Sequence, residues 1–198
     1  MFEITAGSTD ERKSISMFLP HLGKIDNKLA ELVVTAWITV WKSSTYRDSD
    51  PTAFAYTVLA PNYRLMDHVG EVTELGVMLA NYRAERWSEP WDPEVLIPAL
   101  ILHDVDKPLL YARSETGCER TVVADEIPHG VLGGFLLKEL GFDDRVTSIV
   151  TTHAANSPFH SELAEGWILH YADFFSADHA LRLDAPDVLP FYQRHWVS

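Results

Sequence analysis

The sequence has a single cysteine, Cys118, in 198 residues. One thiol excludes an intrachain disulfide, and it also excludes a zinc site built from several cysteines. Long apolar runs are missing as well. No segment approaches the roughly 18 residues of a membrane-spanning helix, and no basic stretch followed by an apolar one stands at the N-terminus. These absences predict a soluble cytoplasmic protein without a membrane partner.

Basic residues are also scarce. The sequence contains 16 lysines and arginines against 29 acidic residues, and its formal net charge is -13. A negative field of this size repels phosphate backbones, so we do not expect a nucleic-acid polymer as a partner. A small anionic substrate is compatible with this charge if bound metal ions supply positive charge locally.

Strand patterns are rare in the sequence, whereas apolar residues recur at helical spacing along most of it. From residue 92 onward, residues typical of helix starts and ends are Asp92 with Pro93, Pro128, Gly141 and Asp143. Pro128 is predicted to open a helix that Gly141 closes, and Pro98 predicts a kink or a restart. The pattern predicts an all-α fold, a helical bundle with short connections.

The length predicts a single domain over residues 1–198. Its core is expected from about 63 to 182, after a helical N-terminal extension over 1–62 and before a C-terminal tail over 183–198. The aromatic residues of the tail, which are Phe191, Tyr192 and Trp196, predict that it packs back onto the domain.

Two segments have no regular pattern. Residues 43–62 are predicted to form an ordered loop or a short irregular helix, which could border a pocket. Residues 111–127 are polar and turn-like, and they are predicted to form an excursion over the surface.

The stretch from Leu100 to Pro108 combines an apolar run with His103 and Asp104 directly after it. Polar groups behind a buried run are costly unless they are paired. An imidazole nitrogen and a carboxylate oxygen can bind one metal ion together. From this stretch alone, a metal site and a polar turn at a helix end are equally good interpretations.

Other predicted helices carry similar residues on their apolar faces. His68, for example, is in phase with Val72, Leu75 and Leu79, and alone it would be typical of a core histidine. The metal-capable residues on buried faces are His68, His103, Asp104, His129, His153 and Asp173. Six such groups need charge compensation, which a shared two-metal centre bridged by Asp104 would supply. Mixed nitrogen and oxygen ligands favour two divalent transition-metal ions, Fe, Mn, Co, Ni or Zn, over Mg or Ca. Among these we expect Fe or Mn.

The order of these residues resembles the HD superfamily of metal-dependent phosphohydrolases. The resemblance extends from about His68 to Asp178 and is carried by HVGEVTELG, LILHDVDKP, IPHGVLGGFLLKELG, IVTTH and ILHYAD. It implies one metal held by His68, His103, Asp104 and Asp173. It also implies that Asp104 bridges to a second metal, which His129 and His153 hold.

Some positions depart from related motifs. Asp106 stands where the H-D-I-G-K motif has glycine, and this could alter the turn that presents Lys107. Ala154 follows His153 where a second histidine would stand, and no G-Y-P motif comes after it. Both points argue against a cyclic-di-GMP phosphodiesterase. Symmetrical dinucleoside-tetraphosphate hydrolases share the ligand pattern, but the remaining segments do not identify the chain as one of them.

The first interpretation is metal-dependent hydrolysis of a small phosphoester, such as a phosphomonoester, a phosphodiester or a nucleotide, with Asp104 and Lys107 as catalytic residues. Lys107 lies one turn beyond the predicted ligands, where it would neutralise an anionic substrate. Arg64 lies one turn before His68 and is a second candidate for substrate binding, although a surface arginine fits equally well. His170 lies one helical turn before Asp173 and would contact that ligand or make a core hydrogen bond elsewhere.

Two other interpretations stay open. Mixed-valent di-iron oxygenases related to myo-inositol oxygenase have the same ligand order and also a lysine shortly after the His-Asp pair. Ligand identity does not separate them from hydrolases, because the difference lies in the redox state of the metal. A non-catalytic module that keeps a metal for binding or structure is the third interpretation, and a homo-oligomer is compatible with all three.

Overall fold

A computed structural model of the chain describes residues 2–115 and 117–194, most of which lie in helices. The α-helices are α1 (Thr9–Ser16), α2 (Asn27–Ser43), α3 (Leu65–Trp87), α4 (Pro93–Leu102), α5 (Lys107–Leu110), α6 (Val122–Glu126), α7 (Val131–Leu140), α8 (Asp144–Thr152), α9 (Ala164–Asp184) and α10 (Phe191–Arg194). Short 3-10 helices are Leu22–Lys24 and Pro51–Ala53. The predicted helical fold class is confirmed. Among the described residues, no helix is both long enough and apolar enough to cross a bilayer.

Two antiparallel hairpins were not predicted. Strands β1 (Ala55–Thr57) and β2 (Ala60–Arg64) lie in the segment interpreted as a loop or irregular helix. Strands β3 (Tyr111–Ser114) and β4 (Gly117–Arg120) lie in the predicted surface excursion, ahead of α6. Strands of three to five residues are too short for an alternating pattern to stand out, so the sequence did not reveal them.

Helix α4 is the centre of the bundle. It packs against α2, α3, α8 and α9, and its residues from Val95 to Leu102 are buried on all sides. A helix that is apolar all round belongs in a core. Pro98 does not interrupt it, because the helix continues from Pro93 to Leu102. The residues that follow α4, beginning with His103, therefore emerge inside the protein.

The long helices α3 and α9 pack against each other, and α3 also packs against α4. Gly76 permits the second of these contacts, since a Cβ atom at this position would lie only 2.4 Å from Cδ2 of Leu100. Helix α3 begins close to its predicted start and carries His68 on the buried face that the apolar spacing predicted.

Helices α7 and α8 approach each other closely at Gly134, where a Cβ atom would lie 2.0 Å from Thr151 Oγ1. A larger residue than glycine at this position would separate the two helices. The predicted start of the helix at Pro128 is wrong, because α7 begins at Val131. Gly130 precedes it with a φ of 87°, a left-handed conformation that breaks the helical path. His129 consequently lies in the connection before α7.

The N-terminal extension and the tail both pack onto the bundle. Trp37 of α2 is fully buried, and its Nε1 donates a hydrogen bond to the Ile101 carbonyl at 3.3 Å. At the other end of the chain, Phe191 stacks on Phe174 of α9 with a centroid separation of 5.0 Å. The predicted return of the tail is confirmed for Phe191, while Trp196 lies outside the described residues.

Candidate metal centre

Four histidines bring their Nε2 atoms together inside the bundle. We call His68 and His103 the inner pair, and their Nε2 atoms are 3.1 Å apart. His129 and His153 form the outer pair, with Nε2 atoms also 3.1 Å apart. The two pairs come from separate helices and connections, so the tertiary fold alone brings them together.

Asp104 lies between the two pairs and is almost fully buried. Its Oδ2 faces the inner pair, 3.3 Å from His68 Nε2 and 3.4 Å from His103 Nε2. Its Oδ1 faces the outer pair, 2.7 Å from His129 Nε2 and 3.6 Å from His153 Nε2. Each carboxylate oxygen thus serves a different pair, which is the arrangement that a bridging ligand needs.

Asp173 of α9 completes the inner side, with Oδ1 3.1 Å from His68 Nε2 and 3.8 Å from His103 Nε2. Lys107 also reaches this side, and its Nζ lies 2.6 Å from Asp104 Oδ2. The Lys107 ammonium is 3.8 Å from the centre of the Tyr56 ring, and it is thereby held between a carboxylate and an aromatic face.

Two of the histidines are oriented by the ends of their own helices. His103 directly follows α4, and its Nδ1 donates to the Leu100 carbonyl at 2.8 Å. His153 directly follows α8, and its Nδ1 donates to the Val150 carbonyl at 2.7 Å. The last carbonyls of a helix lack partners within it, so these bonds also satisfy the helix ends. In both rings Nδ1 has a proton, so Nε2 is the nitrogen that can bind a metal.

The other two histidines are oriented by side chains. His68 Nδ1 lies 2.9 Å from Ser176 Oγ, which is buried on α9. His129 Nδ1 lies 2.8 Å from Asp106 Oδ1, in an ion-pair contact that does not have regular hydrogen-bond geometry. Asp106 Oδ2 accepts hydrogen bonds from the backbone amides of Gly130 (2.8 Å) and Gly133 (3.3 Å). Asp106 therefore fixes both His129 and the start of α7.

The carboxylates of the cluster are strongly acidic. Burial would raise the pKa of Asp104, but the charges of His103 and Lys107 outweigh it and hold the pKa well below its usual value. Burial would also raise the pKa of Asp173, but the hydrogen bond from His68 Nε2 outweighs it and lowers the pKa. A metal ion bound at His68 Nε2 would take the place of that proton. Both groups are therefore carboxylates at neutral pH, as metal ligands must be.

The histidines of the outer pair differ in their protonation. Burial lowers the pKa of His153, so this ring is neutral. Burial would also lower the pKa of His129, but the charge of Asp106 and the hydrogen bond to Asp104 raise it to about 10. A cation at the outer pair would substitute for the His129 proton, because both carboxylates stabilise positive charge there.

The donor set fits a transition metal. Two groups of ligand atoms, His68 with His103 and Asp104, and Asp104 with His129 and His153, each lie within 4.8 Å of one another. Asp104 Oδ2 is buried and makes no hydrogen bond of regular geometry with the described residues. The Lys107 ammonium lies 2.6 Å away, and a cation held by the inner pair would be a second positive partner for this buried oxygen. Imidazole and carboxylate ligands together suit Fe, Mn, Co, Ni or Zn.

A cavity of about 510 Å³ leads from the surface to Asp104, His129, His153 and Asp173. Its volume is that of a site for a small molecule. Three basic residues line it, namely Lys107, Arg120 and Arg194, and Phe174 and Phe191 contribute apolar wall. In a chain with a net charge of -13, this concentration of basic side chains favours an anionic ligand.

Two other predicted residues lie farther from the cluster. Arg64 is half-exposed and pairs with Asp67 at 2.6 Å, and it is not among the described residues that line the cavity. Its role in substrate binding stays a prediction. The ring of His170 lies 4.2 Å from the ring of Phe174 and 5.7 Å from that of His160. Contact of His170 with a metal ligand likewise stays a prediction.

Sequence reasoning missed Tyr56, Asp106, Ser176 and Glu71. Asp106 was noticed only as a departure from a glycine. Its partners Gly130 and Gly133 are 24 and 27 residues away, so nothing local revealed them. Ser176 and Glu71 each lie three residues after a predicted ligand, and this spacing is the one signal that could have found them.

Comparison with known proteins points to one family. A family model described as HD domain matches residues 65–178. The dihydroneopterin 2',3'-cyclic phosphate phosphodiesterase of Methanocaldococcus jannaschii is 29% identical over 110 residues, which cover 55% of this chain and 44% of the relative. The chain thus spans less than half the length of that curated relative. No solved structure matches the chain.

Proposed function

The chain belongs to the HD domain family, and from this membership we propose that it is a metal-dependent phosphohydrolase acting on a small phosphoester at a dinuclear centre. The observation that carries the proposal is the position of Asp104, whose two oxygens face different histidine pairs. In this proposal His68, His103 and Asp173 hold one ion, while His129 and His153 hold the other.

Two bound metal ions would supply an activated water nucleophile and charge stabilisation for the phosphoryl oxygens. The protein residues have separate tasks. Asp104 and Asp173 offset the positive charge within the buried cluster. Burial on the inner side excludes bulk water, which strengthens every charge interaction there. The basic residues of the cavity attract and orient the anion before it reaches the ligands.

Lys107 is the residue that we propose to contact the substrate phosphoryl group. Its exposed fraction is only 7%, and it lines the cavity next to Asp104. A buried ammonium at this position interacts with an anion more strongly than a solvated lysine would. The named relative acts on a cyclic phosphate, which supports a phosphoester and makes cyclic phosphodiesters the first substrates to try.

The test has two parts. The metal content of protein purified without added metal is measured by elemental analysis. The same protein is then assayed with cyclic phosphodiesters, linear phosphodiesters and phosphomonoesters. Two equivalents of a transition metal and hydrolysis of one of these classes are expected. Mixed-valent di-iron with oxygen consumption and no phosphate release would favour an oxygenase instead. Bound metal without turnover of any kind would favour a binding module.

Substitution of Lys107 tests the charge of the substrate. We expect Lys107→Ala to lower kcat/KM for a phosphoester more than about tenfold, a loss above about 1.4 kcal/mol of transition-state stabilisation. Metal content should not change, since a protonated lysine has no lone pair for a metal. The control is a neutral substrate analogue, for which the loss should be smaller. Equal activity of both proteins on the anion would remove Lys107 from the proposal.

A further inference from the structure

A line of hydrogen bonds leads from His68 away from the cluster. His68 Nδ1 lies 2.9 Å from Ser176 Oγ, and the Ser176 hydroxyl donates to Glu71 Oε2 at 2.7 Å. A hydroxyl has one proton to donate. Because that proton points to Glu71, the Ser176 oxygen must accept from His68, and the His68 ring must therefore have a proton on Nδ1.

The residues of this line repeat one spacing on two helices. On α3, Glu71 lies three residues after His68, and on α9, Ser176 lies three residues after Asp173. Residues three apart are neighbours on one face of a helix. Each helix thus carries one proposed metal ligand and, one turn later, one residue of the hydrogen-bonded series. The packing of α3 against α9 joins these two residues.

We propose that Ser176 and Glu71 are positioning residues that keep the His68 proton on Nδ1 and thereby present the Nε2 lone pair to a metal. The inference rests on the metal centre of the proposed function. It also explains a difference within the inner pair: His103 uses a backbone carbonyl for this purpose, whereas His68, within helix α3, uses a side chain of another helix.

Hydrogen bonds in this arrangement, from His68 through Ser176 to Glu71, can increase the affinity of a histidine ligand for a metal. A carboxylate at the far end makes the hydroxyl a better acceptor, and a better acceptor increases the electron density on the ring. Ser176 is 2% exposed, so water does not readily replace it. Glu71 is partly exposed and contacts His179 Nδ1 at 3.5 Å, so the far end can be changed with little disturbance of the core.

The first experiment compares Zn²⁺ affinities measured by competition with a chelator. We expect Ser176→Ala to weaken Zn²⁺ binding by about 10- to 100-fold, the range for loss of a group that orients a ligand. Thr73→Val is the matched control, because the Thr73 hydroxyl is also fully buried but donates to Val69 within α3. The control should stay within about twofold of the wild type, well below that range.

The second experiment uses Glu71→Ala, which does not depend on the folding of a core variant. Without the carboxylate, the Ser176 hydroxyl is free to donate to His68 Nδ1. A ring that accepts at Nδ1 has its proton on Nε2, where it blocks metal binding. We expect weaker Zn²⁺ binding than in the wild type. In the Ser176→Ala, Glu71→Ala double variant the loss should be close to that of Ser176→Ala alone, because both act through the same hydroxyl.

A spectroscopic measurement separates positioning from a structural effect. In the Zn²⁺-loaded protein, the Nδ1–H proton of His68, assigned by its loss in His68→Gln, should give a protected downfield resonance. This resonance should shift or exchange faster in both single variants and stay unchanged in Thr73→Val. Folded variants with wild-type Zn²⁺ affinity and an unshifted resonance would overturn the inference.

These measurements do not depend on the reaction. Weaker Zn²⁺ binding in the two variants supports the positioning role even if the wild type hydrolyses no phosphoester, a result that would overturn only the proposed function. A wild type that binds neither Zn²⁺ nor any other of the transition metals that suit the ligands would overturn both.

Discussion

The inner and outer histidine pairs lie on opposite sides of Asp104 and are held there in different ways. The side chains of His68 and His103 are 0% exposed and come from α3 and the end of α4, the most deeply packed part of the bundle. The side chain of His129 is 22% exposed and belongs to a connection between elements. His153 is also buried, with a side chain that is 2% exposed, so the two sides differ chiefly in His129, which depends on local features.

The local features of the outer pair are few and specific. Gly130 takes a left-handed conformation, and a Cβ atom there would lie 2.8 Å from the Val150 carbonyl oxygen. Asp106 supplies the only side chain that the described residues place on His129 Nδ1. A rigid inner site and a locally supported outer site should bind metal with different affinities, and the outer ion should leave first. Four sets of substitutions test this difference between the inner and the outer site.

The largest effect is expected for Asp104→Ala, because Asp104 is common to both sides. We expect loss of both ions and of activity while the protein stays folded, since no neighbouring group can bridge the two pairs. Elemental analysis, turnover and circular dichroism measure the three quantities. A folded variant with two metals and normal turnover would show that Asp104 is not the bridge.

Separate removal of one histidine from each pair tests the comparison directly. We expect His129→Ala to keep one metal ion, held by the inner side, and to lose activity because only one ion is left. His68→Ala should lose the tightly bound ion instead. Metal titration by calorimetry gives the number of sites and their affinities. The two sides would be equivalent if both variants kept the same residual affinity.

Asp106→Asn is expected to have an intermediate effect. The asparagine oxygen can still accept from Gly130 and Gly133, but its amide group then faces His129 Nδ1 and forces the ring proton onto Nε2. The affinity of the outer site should fall by about 10- to 100-fold, with the inner site unchanged. Calorimetric titration resolves the two sites. An equal loss at both would mean that Asp106 supports the fold and not the outer pair.

The smallest effect is expected on the inner side, for Tyr56→Leu. Its ring lies 4.2 Å from the His68 ring and below the Lys107 ammonium. Loss of the cation–π contact should lower kcat/KM about fivefold, or ~1 kcal/mol, with metal content unchanged. Tyr56→Phe is the matched control, since it keeps the ring. A similar loss in both variants would point to the hydroxyl and not to the ring.

Apolar periodicity predicted the helical fold, whereas the six clustered residues were recognised from their order along the chain as well as from helical spacing. His68 was identified by its phase with an apolar stripe, and the fold places it as expected. His129 was assigned to a helix that in fact begins two residues later, yet it still reaches the cluster. Its position depends on the left-handed conformation of Gly130 and on the contact with Asp106, 23 residues earlier in the chain. The local spacing of apolar residues reveals neither.

The side chains around the ligands were harder to predict. Tyr56 lies on a three-residue strand, and its relation to Lys107 is a tertiary contact over about fifty residues of sequence. In the sequence Ser176 cannot be distinguished from other small helical residues, because its contact with His68 forms only where α3 packs against α9. Patterns of hydrophobicity indicate which faces are buried, but they do not indicate which side chains meet there.

The cavity wall has a consequence for how such a protein can change. The six proposed ligands all lie within residues 65–178, the part that matches the family model, whereas Tyr56, Leu59, Phe191 and Arg194 lie outside it and line the same cavity. The first hairpin and α10 therefore form part of the cavity wall without supplying a proposed metal ligand. Replacing these two short segments with those of a relative should change the substrate preference and leave the metal content unchanged.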